Sequence, residues 1–433
     1  MFTGFEALVA FVVLFALMLL RVPVGIAMGS IGVAGFAFIV QWEPAMRLVS
    51  QVTLRSATDE GFGLVPLFVL MGTLASASGL GKELFAASNA FVGHRRGGLA
   101  IATIWASAGF SAICGSAIAA AATMARIVLP EMRRLKYDGG FACATIATGG
   151  TLGILIPPSV VFALYGIMTE QDITKLFMAG VVPGLLSVVV QILCVRWITA
   201  RSPHAAPSGP VHGWTEKRRA VAQVWAVVAL FVFMLGGMYA GAFTATEAAA
   251  MGAGGALIIG LARRRYDRAA LRGAFFEAVR TTGGIFLVII GAVLFSQFLT
   301  LTRAPQAVAE WVGGLTLNRY VILGVIVAIY IVLGALMDEL AMILLTVPIV
   351  YPIMVRLGFD PIWFGVILVM VVQLGLIIPP VAMNLFVLQG IAKDVPLNDI
   401  YRAVMPFVVG TILLVVVLCA FPQLALWLPG SMR

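Results

Sequence analysis

Thr151-Leu-Gly-Ile-Leu-Ile-Pro-Pro-Ser159 and Gln373-Leu-Gly-Leu-Ile-Ile-Pro-Pro-Val381 are two copies of one phrase, set 222 residues apart. Holding that offset without a gap, Pro130 and Met132 fall on Pro352 and Met354. Arg134-Leu135 falls on Arg356-Leu357, and Asp138 on Asp360. Over 113–159 against 335–381, 13 of 47 positions are identical. Each copy sets a glycine and then a Pro-Pro pair inside an apolar stretch. Proline removes a backbone donor and frees a carbonyl, so each stretch reads as a helix that breaks near its middle.

Composition decides what surrounds those breaks. Of 433 residues, 61% are hydrophobic and only 11% charged, and the mean hydropathy is +1.06. A soluble domain carries about 25% charged residues. Lipid must therefore replace water over much of the surface, and the backbone must be mostly helical. Crossing helices are expected near 5–20, 22–40, 62–80, 139–168, 175–197, 221–242, 243–262, 283–302, 361–390 and 402–426. Phe5 to Leu20 reads as the first of these rather than as a cleavable leader, because Arg21-Val-Pro-Val-Gly and a second apolar stretch follow at once. The segments 99–131 and 320–354 are long enough to cross, but Gly or charge interrupts each at its centre. They read as re-entrant hairpins.

Charge supports that map. With the N-terminus outside, 21 of the 28 Lys and Arg collect on the inner side, among them Arg95-Arg96, Arg133-Arg134, Lys217-Arg218-Arg219 and Arg263-Arg264-Arg265. This is the bias of cytoplasmic loops. Reading the hairpins as full crossings would place the last two clusters outside. Five crossings separate the hairpins, so the two copies are inserted with opposite orientation, an arrangement recurrent in secondary transporters. Thr199 to Gly213, rich in Pro and Gly, reads as the one linker. The expected organisation is 1–60 (scaffold helices and an outer interfacial arm over 44–59), 61–197 (first repeat), 198–263 (linker and scaffold helices) and 264–433 (an inner arm over 264–282 and the second repeat).

The chemistry is expected at the breaks. Carbonyls unwound at membrane depth are natural ligands for dehydrated sodium. Gly149, Gly150, Thr151 and Gly153 precede Pro157-Pro158; Gln373 and Gly375 precede Pro379-Pro380, and Asn384 follows. The hairpin tips, Ser111-Ala-Ile-Cys114-Gly115-Ser116 and Gly334-Ala-Leu-Met-Asp338-Glu339, would complete each site, Asp338 aligning with Ser116. Helix N-termini at the tips would favour a carboxylate substrate beside the cation. Glu247 reads as part of a connection between two helices, and Arg126 as snorkelling to the interface. Cys114, Cys143, Cys194 and Cys419 show no CxxC pairing, His94, His204 and His212 lie in loops, and neither a P-loop nor HExxH occurs. An enzyme, an ATP-driven pump and a cofactor are not expected.

Pro130-Glu-Met132 through Asp138, Gly149 through Ser159, and Pro379-Pro380-Val-Ala-Met-Asn384-Leu-Phe together resemble the large M subunit of tripartite ATP-independent periplasmic (TRAP) transporters, over nearly the whole chain. The resemblance implies an elevator-type fold of the ion transporter superfamily, with sodium as coupling ion. It also implies a small four-helix Q membrane subunit, a periplasmic substrate-binding protein and a small organic carboxylate as cargo, in a bacterial inner membrane. It assigns one sodium position to Ser111, Cys114, Gly115, Ser116, Thr148, Gly149, Gly150 and Thr151. A second falls to Gly334, Asp338, Gln373, Gly375 and Ile378. Candidate substrate contacts are Ser116, Pro157, Pro158, Ser159, Pro379, Pro380 and Asn384. The chain departs from the usual pattern at Cys114, where Ser is common, Gln373 for Glu, Ile378 for Thr and Ala382 for Gly. A stand-alone sodium–carboxylate symporter, and a membrane-embedded enzyme or lipid-handling protein, are the alternatives.

Overall fold

The computed structural model describes residues 5–315, 317–380 and 382–432. Among them are 20 α-helices and no strand. The first half runs α1 (Phe5–Leu19), α2 (Val24–Ile39), α3 (Trp42–Thr58), α4 (Glu60–Ala77) and α5 (Leu80–Val92). A helical hairpin follows, α6 (Gly98–Cys114) and α7 (Ala117–Arg134), then α8 (Gly139–Thr151), a 3₁₀ turn over Leu152–Ile154, α9 (Val160–Thr169) and α10 (Ile173–Arg201). The second half runs α11 (Trp214–Tyr239), α12 (Ala245–Ala262), α13 (Arg268–Thr302) and α14 (Ala304–Gly313). A second hairpin follows, α15 (Arg319–Gly334) and α16 (Glu339–Arg356), then α17 (Pro361–Gly375), α18 (Met383–Ile391), α19 (Leu397–Ala420) and α20 (Gln423–Gly430). Seven helices, α4, α10, α11, α12, α13, α16 and α19, are each long and apolar enough to cross a membrane. Leu19, Phe38 and Trp214 are more than two-thirds exposed, as suits side chains facing lipid. The all-helical, polytopic architecture expected from composition is the one observed.

The repeat is written in helix starts. Ser116 caps α7 by accepting from the Ala119 amide, and Asp338 caps α16 by accepting from Leu340 and Ala341. Asp138 caps α8 through Phe141, and Asp360 caps α17 through Ile362 and Trp363. Each pair keeps the 222-residue offset. A capping side chain contributes about 1 kcal/mol and fixes where a helix begins, so the copies share boundaries although few residues are identical. They also run in opposite directions. Gly140 at the start of α8 packs on Asp399, just beyond the end of α18. Pro361 at the start of α17 accepts a hydrogen bond from the Tyr165 hydroxyl near the end of α9.

Three expectations need revision. The inner arm over 264–282 is not a separate helix: it continues into the crossing segment as the 35-residue α13, about 52 Å at 1.5 Å per residue. In the first half, Asp59 caps α4 and separates it from α3; no residue plays that part in Arg268–Thr302. Second, the segments after the first crossing of each repeat, left unassigned by hydropathy, form α5 and its counterpart α14. Third, the Pro- and Gly-rich linker is docked. Ala205 and Ala206 carbonyls accept from the Asp138 and Gly97 amides, and the Gly209 amide donates to the Gly93 carbonyl.

The outer helices of each half pack on the other half: α2 lies against α13, and α12 against α4. Gly25 and Gly32 permit the first contact, since a Cβ at either would fall 2.6–2.7 Å from α13 backbone atoms. A buried charged junction ties one end of these helices together. Glu83 of α5, 7% exposed, accepts from Arg263 at 2.9 Å and from Arg265 at 2.5 Å, and Arg263 also donates to the Gln223 carbonyl. Glu83→Ala leaves two guanidinium groups side by side without their shared anion. The expected cost is about 2–3 kcal/mol, below that of a fully buried pair because both arginines keep some water. A thermal melt of the detergent-solubilised chain should fall by several degrees; an unchanged melt would show that the cluster adds no stability.

Candidate functional site

The first tip turns on Gly115, whose φ of 64° is in the left-handed region that glycine enters freely. The tip lies against the first break: a Cβ built at Gly115 would sit 3.5 Å from the Pro158 carbonyl oxygen. A Cβ at Gly153 would sit 3.2 Å from the Ser116 backbone and 3.3 Å from the Ser111 hydroxyl. Gly149 faces Ser107 of α6, and Gly150 faces Ala121 of α7 at 2.6 Å from the same construction. Both arms of the hairpin therefore rest on the glycines of α8. Ser111–Ser116 and Thr148–Gly153 are brought together, with Gly72 of α4 packed on the Cys114 backbone.

Side-chain chemistry at this first position divides in two. Thr148 and Thr151 spend their hydroxyls on the carbonyls of Ala144 and Thr148 at 2.7 Å. Ser116 and Ser159 are helix caps, and Ser159 also donates to the Ile154 carbonyl at 2.6 Å. The fully buried hydroxyls of Ser107, Ser111 and Thr145 have no hydrogen-bond partner. Buried polar atoms normally find one, so these oxygens are left open, and those of Ser107 and Ser111 face Gly149 and Gly153 of the broken helix. Sequence reasoning found Ser111 and missed Ser107 and Thr145, which lie one helical turn from assigned residues.

At the second position the backbones meet directly. A Cβ at Gly375 would fall 2.6 Å from the Gly334 Cα. Asp338 turns one carboxylate oxygen to its own helix start, at 3.1 and 3.0 Å from the Leu340 and Ala341 amides. Gln373 is fully buried; its amide donates to the Ser187 hydroxyl at 3.3 Å and its oxygen is unpartnered. Ile378 continues the turn after α17, its amide donating to the Leu374 carbonyl. Glu339, beside Asp338, is buried with one carboxylate oxygen unpartnered; its adjacency to Asp338 was the only signal for it. Pro157-Pro158 and Pro379-Pro380 are both cis. Among the described residues no three His, Cys, Asp or Glu cluster closely enough to hold a metal, so any cation here would rest on neutral oxygens with at most the tip carboxylates.

The two positions are tied to each other. Asn384, after the second break, donates to the Ala147 carbonyl of α8 at 3.2 Å. Gln191 of α10 donates to the Thr148 carbonyl at 3.2 Å, while Ser187, one turn away, holds Gln373. Ser187 and Gln191 are completely buried or nearly so. Their signal in the sequence was two polar residues at i and i+4 in an otherwise apolar crossing helix.

The chain is similar to known proteins along almost its whole length. The family described as the tripartite ATP-independent periplasmic transporter, DctM component, matches residues 11–424. The C4-dicarboxylate TRAP transporter large permease protein DctM of Pseudomonas aeruginosa is 35% identical, covering 93% of this chain and 94% of its own. The sialic acid TRAP transporter large permease protein SiaM of Vibrio cholerae is 31% identical over 84% of this chain and 85% of its own. Among solved structures, the YdaH transporter of Alcanivorax borkumensis superposes with a TM-score of 0.58 at 16% identity, covering 87% of this chain and 88% of its own. At that identity it shares the fold alone.

Two substitutions test the packing. Gly150→Ala drives a methyl into Ala121 and should destabilise by about 1–3 kcal/mol, read as a lower melting temperature. Gln191→Leu removes the donor to Thr148 and should cost about 1 kcal/mol. A Gly150→Ala protein as stable as wild type would mean that α8 and the hairpin are not in contact.

Proposed function

The chain belongs to the DctM family of tripartite ATP-independent periplasmic transporters, as a large permease subunit, and from that premise we propose that it imports a small organic acid driven by a sodium gradient. The observation that carries the coupling is the pair of unpartnered, buried hydroxyls of Ser107 and Ser111, which face Gly149 and Gly153 where the hairpin meets the broken helix. Sodium takes such neutral oxygen ligands, with unwound carbonyls, without needing a full negative charge. The Gly334–Gly375 contact with Asp338 and Gln373 forms the second position. A carboxylate sits between the tips, against the Pro157-Pro158 and Pro379-Pro380 breaks and Asn384, where the start of α7 favours negative charge.

Transport then follows an elevator scheme. The hairpins, the broken helices, α10 and α19 move as one body against α1–α4 and α11–α13. The tight ties of Asn384, Gln191 and Ser187 within the first set favour that division. Relatives carry C4-dicarboxylate and sialic acid in their names, which supports an organic acid as cargo. A small four-helix membrane subunit and a periplasmic binding protein complete the system. The Lys and Arg bias supports an N-terminus in the periplasm, and the family supports a bacterial inner membrane.

The test is uptake into proteoliposomes holding this chain, its small subunit and its binding protein. An inward sodium gradient should drive accumulation, and uptake indifferent to sodium would end the proposal. Ser111→Ala should raise the sodium concentration for half-maximal uptake by roughly three- to tenfold, the loss of one oxygen ligand.

A further inference from the structure

We propose that the cavity between the start of α8, the end of α10 and the start of α19 binds the headgroup of an aminophospholipid of the phosphatidylethanolamine class. Its phosphate would lie on Arg201 and Arg402, and its ammonium on Asp399. The cavity measures about 490 Å³ and is walled by Phe141, Trp197 and Pro406 as well as by these charges. It lies where the 29-residue apolar α10 ends and the chain turns to Ser202-Pro203, the boundary between hydrocarbon and water. Trp197 is 49% exposed, and the Arg201 guanidinium stacks over its ring at 4.3 Å. An aromatic ring and a basic group at that depth are the usual elements of a lipid-headgroup site.

Charge bookkeeping selects the headgroup. Neither Arg201 nor Arg402 forms an ion pair among the described residues. Of the two acids in the lining, Asp138 is engaged by the Phe141 amide at the start of α8. Asp399, in the first turn of α19, pairs with no described cation. Asp138 keeps its charge but spends an oxygen on that amide, so Asp399 is the carboxylate best placed to take a new donor, and two unpaired guanidinium groups beside it match a phosphate joined to a primary ammonium. A purely anionic headgroup would leave Asp399 facing its phosphate. A quaternary ammonium could not donate a hydrogen bond to Asp399. A free phosphate would leave the apolar wall unfilled. The backbone that carries Asp399 is held against α8, because Gly140 packs directly on it.

The experiment is native mass spectrometry of the full chain in detergent, offered dioleoyl-phosphatidylethanolamine, -phosphatidylcholine or -phosphatidylglycerol singly. The ethanolamine lipid should be retained at least about tenfold more tightly than the choline lipid. Arg201→Gln with Arg402→Gln should remove that retention. Asp399→Asn should leave phosphate binding but erase the preference for ethanolamine over glycerol. Because Asp399→Asn changes selectivity rather than amount, it decides the question even if the double variant folds poorly. Equal retention of the choline lipid, or a double variant that still holds the ethanolamine lipid, would overturn the proposal. So would inorganic phosphate raising the melting temperature as much as the lipid does.

Discussion

A backbone carbonyl without a hydrogen-bond partner is expensive wherever water is absent, and a Pro-Pro pair, having no N–H to donate, puts the carbonyls of its own helix at that risk. The rest of the architecture answers that constraint. The first break is buried and sheltered by its hairpin, whose arms lie on the glycines of α8, while the second meets its hairpin where Gly334 touches Gly375 and leaves Pro380 exposed. Each broken helix is also packed from the other repeat: α9 against α16, and α18 against α7.

The backbone follows an approximate two-fold relation, while the polar chemistry does not. The first position has unpartnered hydroxyls and no acid at its tip. The second has Asp338 and Glu339 where the first has Ser116 and Ala117. The cross-tie through α10 is equally one-sided, since the positions of Ser187 and Gln191 are occupied in α19 by Val409 and Leu413. Two similar folds thus present two different ligand fields, joined by a strut that belongs to one half only.

Much of this was legible in the chain because its causes are local. Pro-Pro pairs, tip glycines and capping residues act within a few positions, so the breaks, hairpins and inverted repeat could be read from spacing. Three things were not. α5 and α14 are amphipathic and modest in hydropathy, so a search for spans passes over them. The continuity of α13 depends on the absence of a cap where its counterpart has Asp59, and an absence leaves no motif. Ser107, Thr145 and Glu339 matter through what does or does not face them across the fold, which residue type and position alone do not record.

Thr199 to Gly213 has the composition of a joint that could be cut or lengthened freely. Its backbone is instead stitched to the bases of the first hairpin and of α8 at Gly93, Gly97 and Asp138, and Ala206 is completely buried. Susceptibility to a protease, or tolerance of an inserted tag, follows backbone hydrogen bonding and burial rather than composition. Ala205 to Gly209 is therefore a poor place to open this molecule, and severing it would loosen the ends of the elements that carry the first break.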